Sequence, residues 1–411
     1  MQQFTSENRE KWDKPEYWIK ICEHLSVKDN SQDAKYETDD AFWSHSKNYK
    51  LDLLSKGYAL VDQSLPNELI VALREGVEKL VEASYPASFI FLFDETWQLA
   101  RYSRLLLEDF TSNPFHYDLL SWYIDKGGFS PHRDRQPEHV ASSFHPDGEA
   151  KFATHWIALT PATTSNSCLY MIPKDHDPGY TKGDEDKKDP LSLALPNKEA
   201  FQRIRAMPRD SGQSILFTHR IIHWGSIKDP EATPRAAISF VCSDPSFEKP
   251  YVDPTCFTDD QLPPFSIRLL LVCAQLIIYH QRFQLSKSML KACFEFCKSM
   301  EDKLEKTYWH KVVFEFVEAM KEDAQTNELD ESEEEEIMEL MLKAEQSGYG
   351  EYSDDYDEGS NELEGGADAG DDDFSDEEEG TLLFRAASGC DDNNTEGSVE
   401  NEKDRKRPRT K

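Results

Sequence analysis

The short stretch "SPHRDR" (residues 130–135) places His132 and Asp134 one residue apart, directly after the turn-like stretch "KGGFSP". Residues i and i+2 of a strand face the same way, so an imidazole and a carboxylate at this spacing can reach one metal ion. A second pair, His145 and Asp147 in "FHPDGE", has the same spacing but lies in a stretch typical of a polar turn. The spacing alone leaves both pairs open.

A metal site of this kind needs a further ligand from a distant strand. The stretch "GQSILFTHRIIHWGS" offers His219 and His223 near the end of a β-rich run. Two imidazoles and one carboxylate on one face of Fe(II) leave positions open for a cosubstrate and dioxygen. Two histidines therefore compete for one place.

Arg235, in "TPRAAISF", follows His223 by 12 positions and begins another β-rich run. A guanidinium binds a carboxylate through two parallel hydrogen bonds and stays charged when buried. This favours His223 over His219, and it makes His132, Asp134 and His223 the predicted metal triad. The alternative is a surface His–Asp pair with unrelated core histidines.

The elements that must position these residues are short and mostly β-rich. A strand at Tyr58–Val61 and a helix with Pro66 in its first turn open the pattern, and apolar runs separated by Gly, Pro, Asp and Asn fill residues 118–245. That spacing predicts an antiparallel sandwich or barrel. Residues 173–192 are charged and rich in Pro and Gly, which indicates a long surface loop that either covers a site or is a plain solvated insertion. The predicted apolar anchors of the opening helix are Leu69, Val71, Leu73, Val77 and Leu80.

After Pro264, helical periodicity over about 60 residues predicts two or three helices packed as an appended layer. The net charge is −33, and residues 328–411 hold 30 acidic and 8 basic side chains, so only −11 falls on the rest. Such a tail is predicted to be disordered, and its basic end "KDRKRPRTK" resembles a nuclear-localisation signal or an acid-binding patch. The predicted organisation is an extension (1–50), a catalytic domain (51–262), a helical appendage (263–326) and an acidic tail (327–411).

Four segments in order give the chain a family resemblance: "GYALVDQSLPNELIVALREGV", "HRDR", "HWIALTPATTSNSCLYMIPKDH", and "GQSILFTHRIIHWGS" followed by Arg235. Over residues 55–250 the sequence resembles the phytanoyl-CoA dioxygenase-like (PhyH-like) Fe(II)/2-oxoglutarate oxygenases. The resemblance implies a mainly β double-stranded β-helix, or jelly roll, with flanking helices.

The same resemblance implies the roles of individual residues. His132, Asp134 and His223 would bind Fe(II), Arg235 would hold the distal carboxylate of 2-oxoglutarate, and Trp156 would form a wall of the cosubstrate pocket. Retention of a carboxylate at position 134 favours hydroxylation over halogenation. Dioxygen and an organic substrate would be the reactants, with residues 85–117 and 173–200 expected to present the substrate.

Composition limits the other possibilities. The sequence shows no secretory signal or membrane span, which favours cytoplasm or nucleus, and "RTK" at the end does not support peroxisomal import. The eight cysteines have no CxxC pairing and are predicted to be thiols. Alternatives are a non-catalytic scaffold whose acidic tail binds basic nuclear proteins, a nucleic-acid dealkylase opposed by the charge, and a His/Asp zinc hydrolase that would not need Arg235.

Overall fold

A computed structural model of the protein describes residues 10–28, 42–43, 49–137, 139–184, 189–283 and 285–326. The predicted acidic tail and its basic end lie outside these residues. The helices are α1 (Pro15–Ile21), α2 (Tyr49–Lys56), α3 (Asn67–Glu82), α4 (Asp94–Thr111), α5 (Gly179–Lys182), α6 (Leu191–Ala194), α7 (Phe265–Ile278), α8 (Lys287–Ser299) and α9 (Lys306–Thr326). The strands are β1 (Tyr58–Val61), β2 (Phe115–Ile124), β3 (Phe129–His132), β4 (Phe152–Ala158), β5 (Leu169–Met171), β6 (Arg205–Met207), β7 (Ser214–Thr218), β8 (His223–Gly225) and β9 (Arg235–Ser243).

Two antiparallel sheets form the centre of the fold. One has the strand order β1-β7-β4-β9-β2 and the other the order β3-β8-β5-β6. Strand β3 pairs with β8 so that His132 lies opposite His223. Sheet pairing therefore brings two residues together that are far apart in the sequence.

The predicted opening unit is confirmed. Strand β1 has the predicted bounds, and α3 begins directly after Pro66. Of the five predicted anchors, only Val71 is not buried, and Ile70 takes its place in the core. The helical face turned inward is thus shifted by one residue at this point.

The C-terminal helices share the core of the sheets and are not a separate layer. Helix α7 is buried along nearly its whole length and packs on β2 and on the 3₁₀ helix Ala87–Leu92. Full burial of a Leu or Ile side chain stabilises a fold by about 1.5–3 kcal/mol, so α7 is integral to it. The observed fold is a mixed one, with more described residues in helices than in strands, and it does not support the "mainly β" prediction.

Residues 173–192 are more structured than the predicted surface loop, in the part that the structure describes. The segment contains α5, and Asp177 and Tyr180 are buried. Asp177 and Asp184 both pair with buried Arg133, which directly follows His132. The segment therefore holds the "HRDR" stretch in place through ion pairs with Arg133. These statements apply to residues 173–184 and 189–192, because residues 185–188 lie outside the described ranges.

The seven cysteines in the described residues are free thiols, as predicted, and Cys390 lies outside them. Within the same part of the chain, every helix is too short or too polar to traverse a bilayer.

Candidate metal centre and adjoining cavity

His132, Asp134 and His223 form a cluster at the end of the four-stranded sheet. One ligand atom from each side chain lies within 4.8 Å of the others. Asp134 Oδ1 is 3.4 Å from His223 Nε2 and 3.9 Å from His132 Nε2. Among the described residues this is the only group of three or more such side chains with metal-binding spacing. The structure thus brings together the three residues that the sequence singles out.

Backbone carbonyls orient both imidazoles. His132 Nδ1 is 2.8 Å from the carbonyl oxygen of Ser130, and His223 Nδ1 is 3.1 Å from that of Ile221. A carbonyl accepts only, so each Nδ1 carries the proton and donates, which leaves each Nε2 lone pair directed at Asp134. Burial, with smaller effects from His223 and Arg282, holds the pKa of His132 well below its usual 6.5. His132 is therefore in the neutral form that binds metal.

Asp134 is fixed at two points. Its backbone N–H donates to the carbonyl of His219 over 3.1 Å, and its Oδ2 accepts a hydrogen bond of 2.9 Å from Thr154 Oγ1. Thr154 lies on β4, two residues before Trp156, and both side chains line the same cavity. Oδ2 is thereby occupied while Oδ1 faces the two imidazoles. The sequence offered a signal for Thr154, because it shares a strand face with Trp156.

The two arginines of "HRDR" anchor the ligand residues to the rest of the molecule. Arg133 binds Asp177 at 2.6 Å, and its neighbour Arg135 binds Asp118 at 2.5 Å and Glu248 at 2.8 Å. Burial raises the pKa of Glu248, but the attraction of Arg135, His116 and Lys311 together outweighs it, so the pKa lies below its usual value. The charged partners keep the loop that carries Asp134 in one position.

Arg235 is the first residue of β9 and is almost completely buried. Its Nε and Nη1 have no hydrogen-bond partner among the described residues, although Cζ lies 5.4 Å from the ring centre of Trp156. Burial lowers the pKa of Arg235 to about 10, so the side chain is a cation at neutral pH. A buried cation with unpaired N–H groups is costly unless a ligand binds it, and two such N–H groups suit a carboxylate.

A cavity of about 870 Å³ joins these groups. It lies between the sheets, where alternate residues of β2 (Asp118, Leu120, Trp122) and β4 (Phe152, Thr154, Trp156) face inward. Its volume falls in the range of small-molecule sites. His132, Asp134, His223 and Arg235 all line it, so a metal ion and a carboxylate ligand would share one enclosure.

The cavity wall differs from the segments that were expected to present a substrate. Residues 85–117 do not line it, because they form the 3₁₀ helix Ala87–Leu92 and helix α4 inside the core. The described part of 173–200 does not line it either. The wall instead comes from residues 245–249, from Tyr279 and Arg282, and from α9 with the residue before it.

The competing histidines have other surroundings. His219 is buried between Phe152 and Phe247, its Nδ1 donates to the Phe152 carbonyl over 3.0 Å, and burial lowers its pKa to about 3. His145 bonds Asn113 at 3.0 Å, while Asp147 accepts from the backbone of Glu149 in a tight turn. His145 and Asp147 lie outside the cluster of three, and "FHPDGE" contains a turn.

Two inward-facing antiparallel sheets, a His–Asp–His cluster and a buried arginine define the class of site. Residues 92–226 match the family model for phytanoyl-CoA dioxygenase (PhyH), which confirms the resemblance drawn from the sequence. The matched stretch includes His132, Asp134 and His223 and ends before Arg235. No curated protein matches the sequence.

Several solved structures are distantly similar. The non-heme alpha ketoglutarate dependent carbocyclase SnoK from nogalamycin biosynthesis is 16% identical, with 49% of this chain and 86% of that chain covered and a TM-score of 0.39. The epimerase SnoN in complex with Fe3+, alpha ketoglutarate and nogalamycin RO is 16% identical, with 48% and 82% covered and a TM-score of 0.37. Apo EctD from S. alaskensis is 16% identical, with 58% and 91% covered and a TM-score of 0.37.

Proposed function

We propose that the protein is an Fe(II)/2-oxoglutarate-dependent dioxygenase that hydroxylates an organic substrate, either a small molecule or a protein side chain. The observation that carries the proposal is the presence, in one cavity, of the His132–Asp134–His223 cluster and the buried, unpaired guanidinium of Arg235. A metal site alone would not require a buried cation beside it. A dicarboxylate that binds the metal at one end requires such a cation at the other.

The predicted cofactors fit the residues that are present. His132 Nε2, His223 Nε2 and Asp134 Oδ1 would hold Fe(II), since two imidazoles and a carboxylate form the facial ligand set of non-haem iron. Arg235 would hold the far carboxylate of 2-oxoglutarate against Trp156. When bound, the iron and 2-oxoglutarate supply oxidative chemistry with dioxygen, in which 2-oxoglutarate becomes succinate and carbon dioxide.

The chain's own contribution is binding, orientation and exclusion of water. The Ser130 and Ile221 carbonyls fix the imidazoles, and Thr154 fixes the carboxylate. Arg235, in the lining of the same cavity, would orient the cosubstrate by holding its far carboxylate. Because Asp134 retains a carboxylate ligand, we infer hydroxylation rather than halogenation.

The jelly-roll topology belongs to this proposal. From β2 to β9 the chain passes repeatedly from the five-stranded to the four-stranded sheet and back, with β5 and β6 as the one consecutive pair in the same sheet. Such alternation is what two strands wound together into a double-stranded β-helix produce. It supports the assignment of β2–β9 as the oxygenase core.

Anaerobic titration with Fe(II) and 2-oxoglutarate tests the function. We expect a weak visible charge-transfer band in the wild-type protein. His132→Ala should abolish it, and Arg235→Ala should raise the 2-oxoglutarate concentration needed while iron binding persists. His176→Ala is the matched control, because His176 is a partly exposed histidine outside the cavity. A folded wild-type protein without the band would refute the proposal.

We also propose a cytoplasmic or nuclear location and a basic protein partner for the acidic tail. Both proposals depend on residues outside the described ranges. A non-catalytic scaffold would show no band and no 2-oxoglutarate turnover, whereas a zinc hydrolase would keep its activity in Arg235→Ala.

A further inference from the structure

The part of the cavity wall that is built from residues 245–249, Tyr279, Arg282 and 305–315 has an uneven distribution of free charge. It is built from segments beyond residue 226, where the match to the family ends. The ligand preference of the cavity therefore depends on C-terminal residues of this chain, and the charges on this wall contribute to that preference.

The carboxylates on this wall already have partners. Glu248 binds Arg135 at 2.8 Å, and Glu305 accepts from the backbone N–H groups of Thr307 and Tyr308 at 2.6 and 3.0 Å. Glu315 lies 3.8 Å from His280. These contacts neutralise the negative charge or satisfy its hydrogen-bonding needs, so little of it remains for a ligand.

Two cations on the same wall are different. Arg282 and Lys306 line the cavity and are exposed, and neither has an ion pair or a hydrogen bond with another described residue. Arg282 is held by its neighbours. Phe283 stacks on Trp122 with ring centres 4.9 Å apart, and Arg282 Cζ lies 5.9 Å from the ring centre of Tyr279.

Lys306 is also held in place by its surroundings. It is the first residue of α9, whose start is capped by Glu305 and packed through Tyr308, which stacks on Tyr251 at 3.5 Å. A fixed backbone position at the cavity limits the range that the Lys306 ammonium group can sample. Both of these charged side chains therefore line the same cavity.

We propose that Arg282 and Lys306 form a recognition site for an anionic group, a carboxylate or a phosphate, on the organic substrate. This rests on the proposed function, because the iron and 2-oxoglutarate would occupy the part of the cavity lined by His132, Asp134, His223 and Arg235. The aromatic residues beside it (Trp122, Phe129, Phe247 and Phe314) would pack against the apolar part of the same molecule. An anionic ligand would then meet positive charge inside a protein whose net charge is −33.

Isothermal titration calorimetry of the full chain tests the site, with benzyl phosphate, phenylacetate and benzyl alcohol as probes. The protein is first saturated with Fe(II) and 2-oxoglutarate without oxygen, so that Arg235 and the metal are not available to the probe. We expect at least one of the two anions to bind tenfold or more tightly than the alcohol. The stronger anion identifies a phosphate ester or a carboxylic acid as the substrate class.

Charge-neutral variants locate the binding. Arg282→Gln and Lys306→Gln should each weaken the anion about fivefold, and the double variant about 25-fold if the two act independently. Lys303→Gln is the control, since Lys303 is exposed and pairs with Asp302 outside the cavity. Equal binding of alcohol and anions, no binding of either anion, or equal binding by wild type and double variant would overturn the proposal.

The charge-transfer band separates the two hypotheses. If wild type and both variants show the band but no anion preference, only the recognition site fails. If the wild type lacks the band, the oxygenase proposal fails, and the titration of the protein alone, compared with Arg282→Gln and Lys306→Gln, still decides whether the anion site exists.

Discussion

Replacing Thr154 by Val removes the hydrogen bond that holds the non-ligating oxygen of Asp134. Thr154 Oγ1 donates to Oδ2 over 2.9 Å, and the side chain is 6% exposed, so Val fills the same space without the hydroxyl. Asp134 is then free to turn about its terminal torsion, and Oδ1 spends less time directed at the two imidazoles. The expected result is weaker metal binding in a protein that remains folded.

The magnitude follows from the contact. Loss of a hydrogen bond to a metal-binding side chain lowers metal affinity about 10- to 100-fold, which corresponds to roughly 1.4–2.7 kcal/mol. The metal-free protein should lose less, about 0.5–1.5 kcal/mol of unfolding free energy, because Asp134 is partly exposed and water can replace the hydroxyl. The two effects differ in size and are measured separately.

The assay is anaerobic Fe(II) binding in competition with a chromophoric chelator, together with urea unfolding of the metal-free protein. Thr154→Ser keeps the hydroxyl and should recover most of the affinity, whereas a residue that only packs would respond to the lost methyl group. Fe(II) affinity of Thr154→Val within twofold of the wild type, or equal weakness of the Val and Ser variants, would refute the reasoning.

Three other perturbations test the site and its supports. Without ligand, the Arg235→Met variant should unfold at an equal or higher urea concentration than the wild type, because the buried guanidinium has two unpaired nitrogens. The variant should lose the stabilisation by 2-oxoglutarate, which is about 2.7 kcal/mol for the wild type at 100 times Kd. Retained stabilisation by 2-oxoglutarate would contradict this. Burial lowers the pKa of His155 and His219 to about 3, so below pH 6.5 these side chains bind protons in the unfolded chain but not in the folded protein. The free energy of unfolding should therefore fall by about 3 kcal/mol from pH 7.5 to 5.5. Unchanged urea midpoints over this pH range would contradict the prediction. Tyr308→Ala removes a ring stacked on Tyr251 and a 3.2 Å hydrogen bond to Gln275. It should lower the free energy of unfolding by about 3–5 kcal/mol, whereas Lys298→Ala on the surface should lower it by less than about 0.5 kcal/mol. A decrease below about 1 kcal/mol for Tyr308→Ala would mean that α9 is peripheral to the fold.

The pair His132 and Asp134 and the buried Arg235 could be predicted from the sequence because their signals are local. The His132–Asp134 spacing matches the period of a strand, and Arg235 begins a strand of its own. The fold accounts for the choice of His223 over His219, because the pairing of β3 with β8 places His223 opposite His132. That choice rested on the position of Arg235, and the observed register agrees with it.

The cavity wall could not be predicted in the same way. Helical periodicity identifies a buried face but not the partner on which that face packs, so α7–α9 were expected as an appended layer. The expected substrate segment 85–117 contains Phe89, Ile90 and Phe91, which are fully buried and form core instead. The exposed charge of residues 173–192 concealed the ion pairs of Asp177 and Asp184 with Arg133, which depend on tertiary contact.

One chain of contacts explains why the C-terminal helices belong to the site. Arg135, next to Asp134, binds Glu248, and Glu248 accepts a 2.6 Å hydrogen bond from Tyr251. Tyr251 stacks on Tyr308 of α9, the helix that carries Lys306. Truncation of one partner in such a network leaves the others unsatisfied in a partly buried setting, so damage at Tyr308 should reach the loop of Asp134. The wall that would bind the substrate and the loop that would bind iron are therefore held by the same side chains, and Tyr308→Ala should weaken Fe(II) binding as well as the fold.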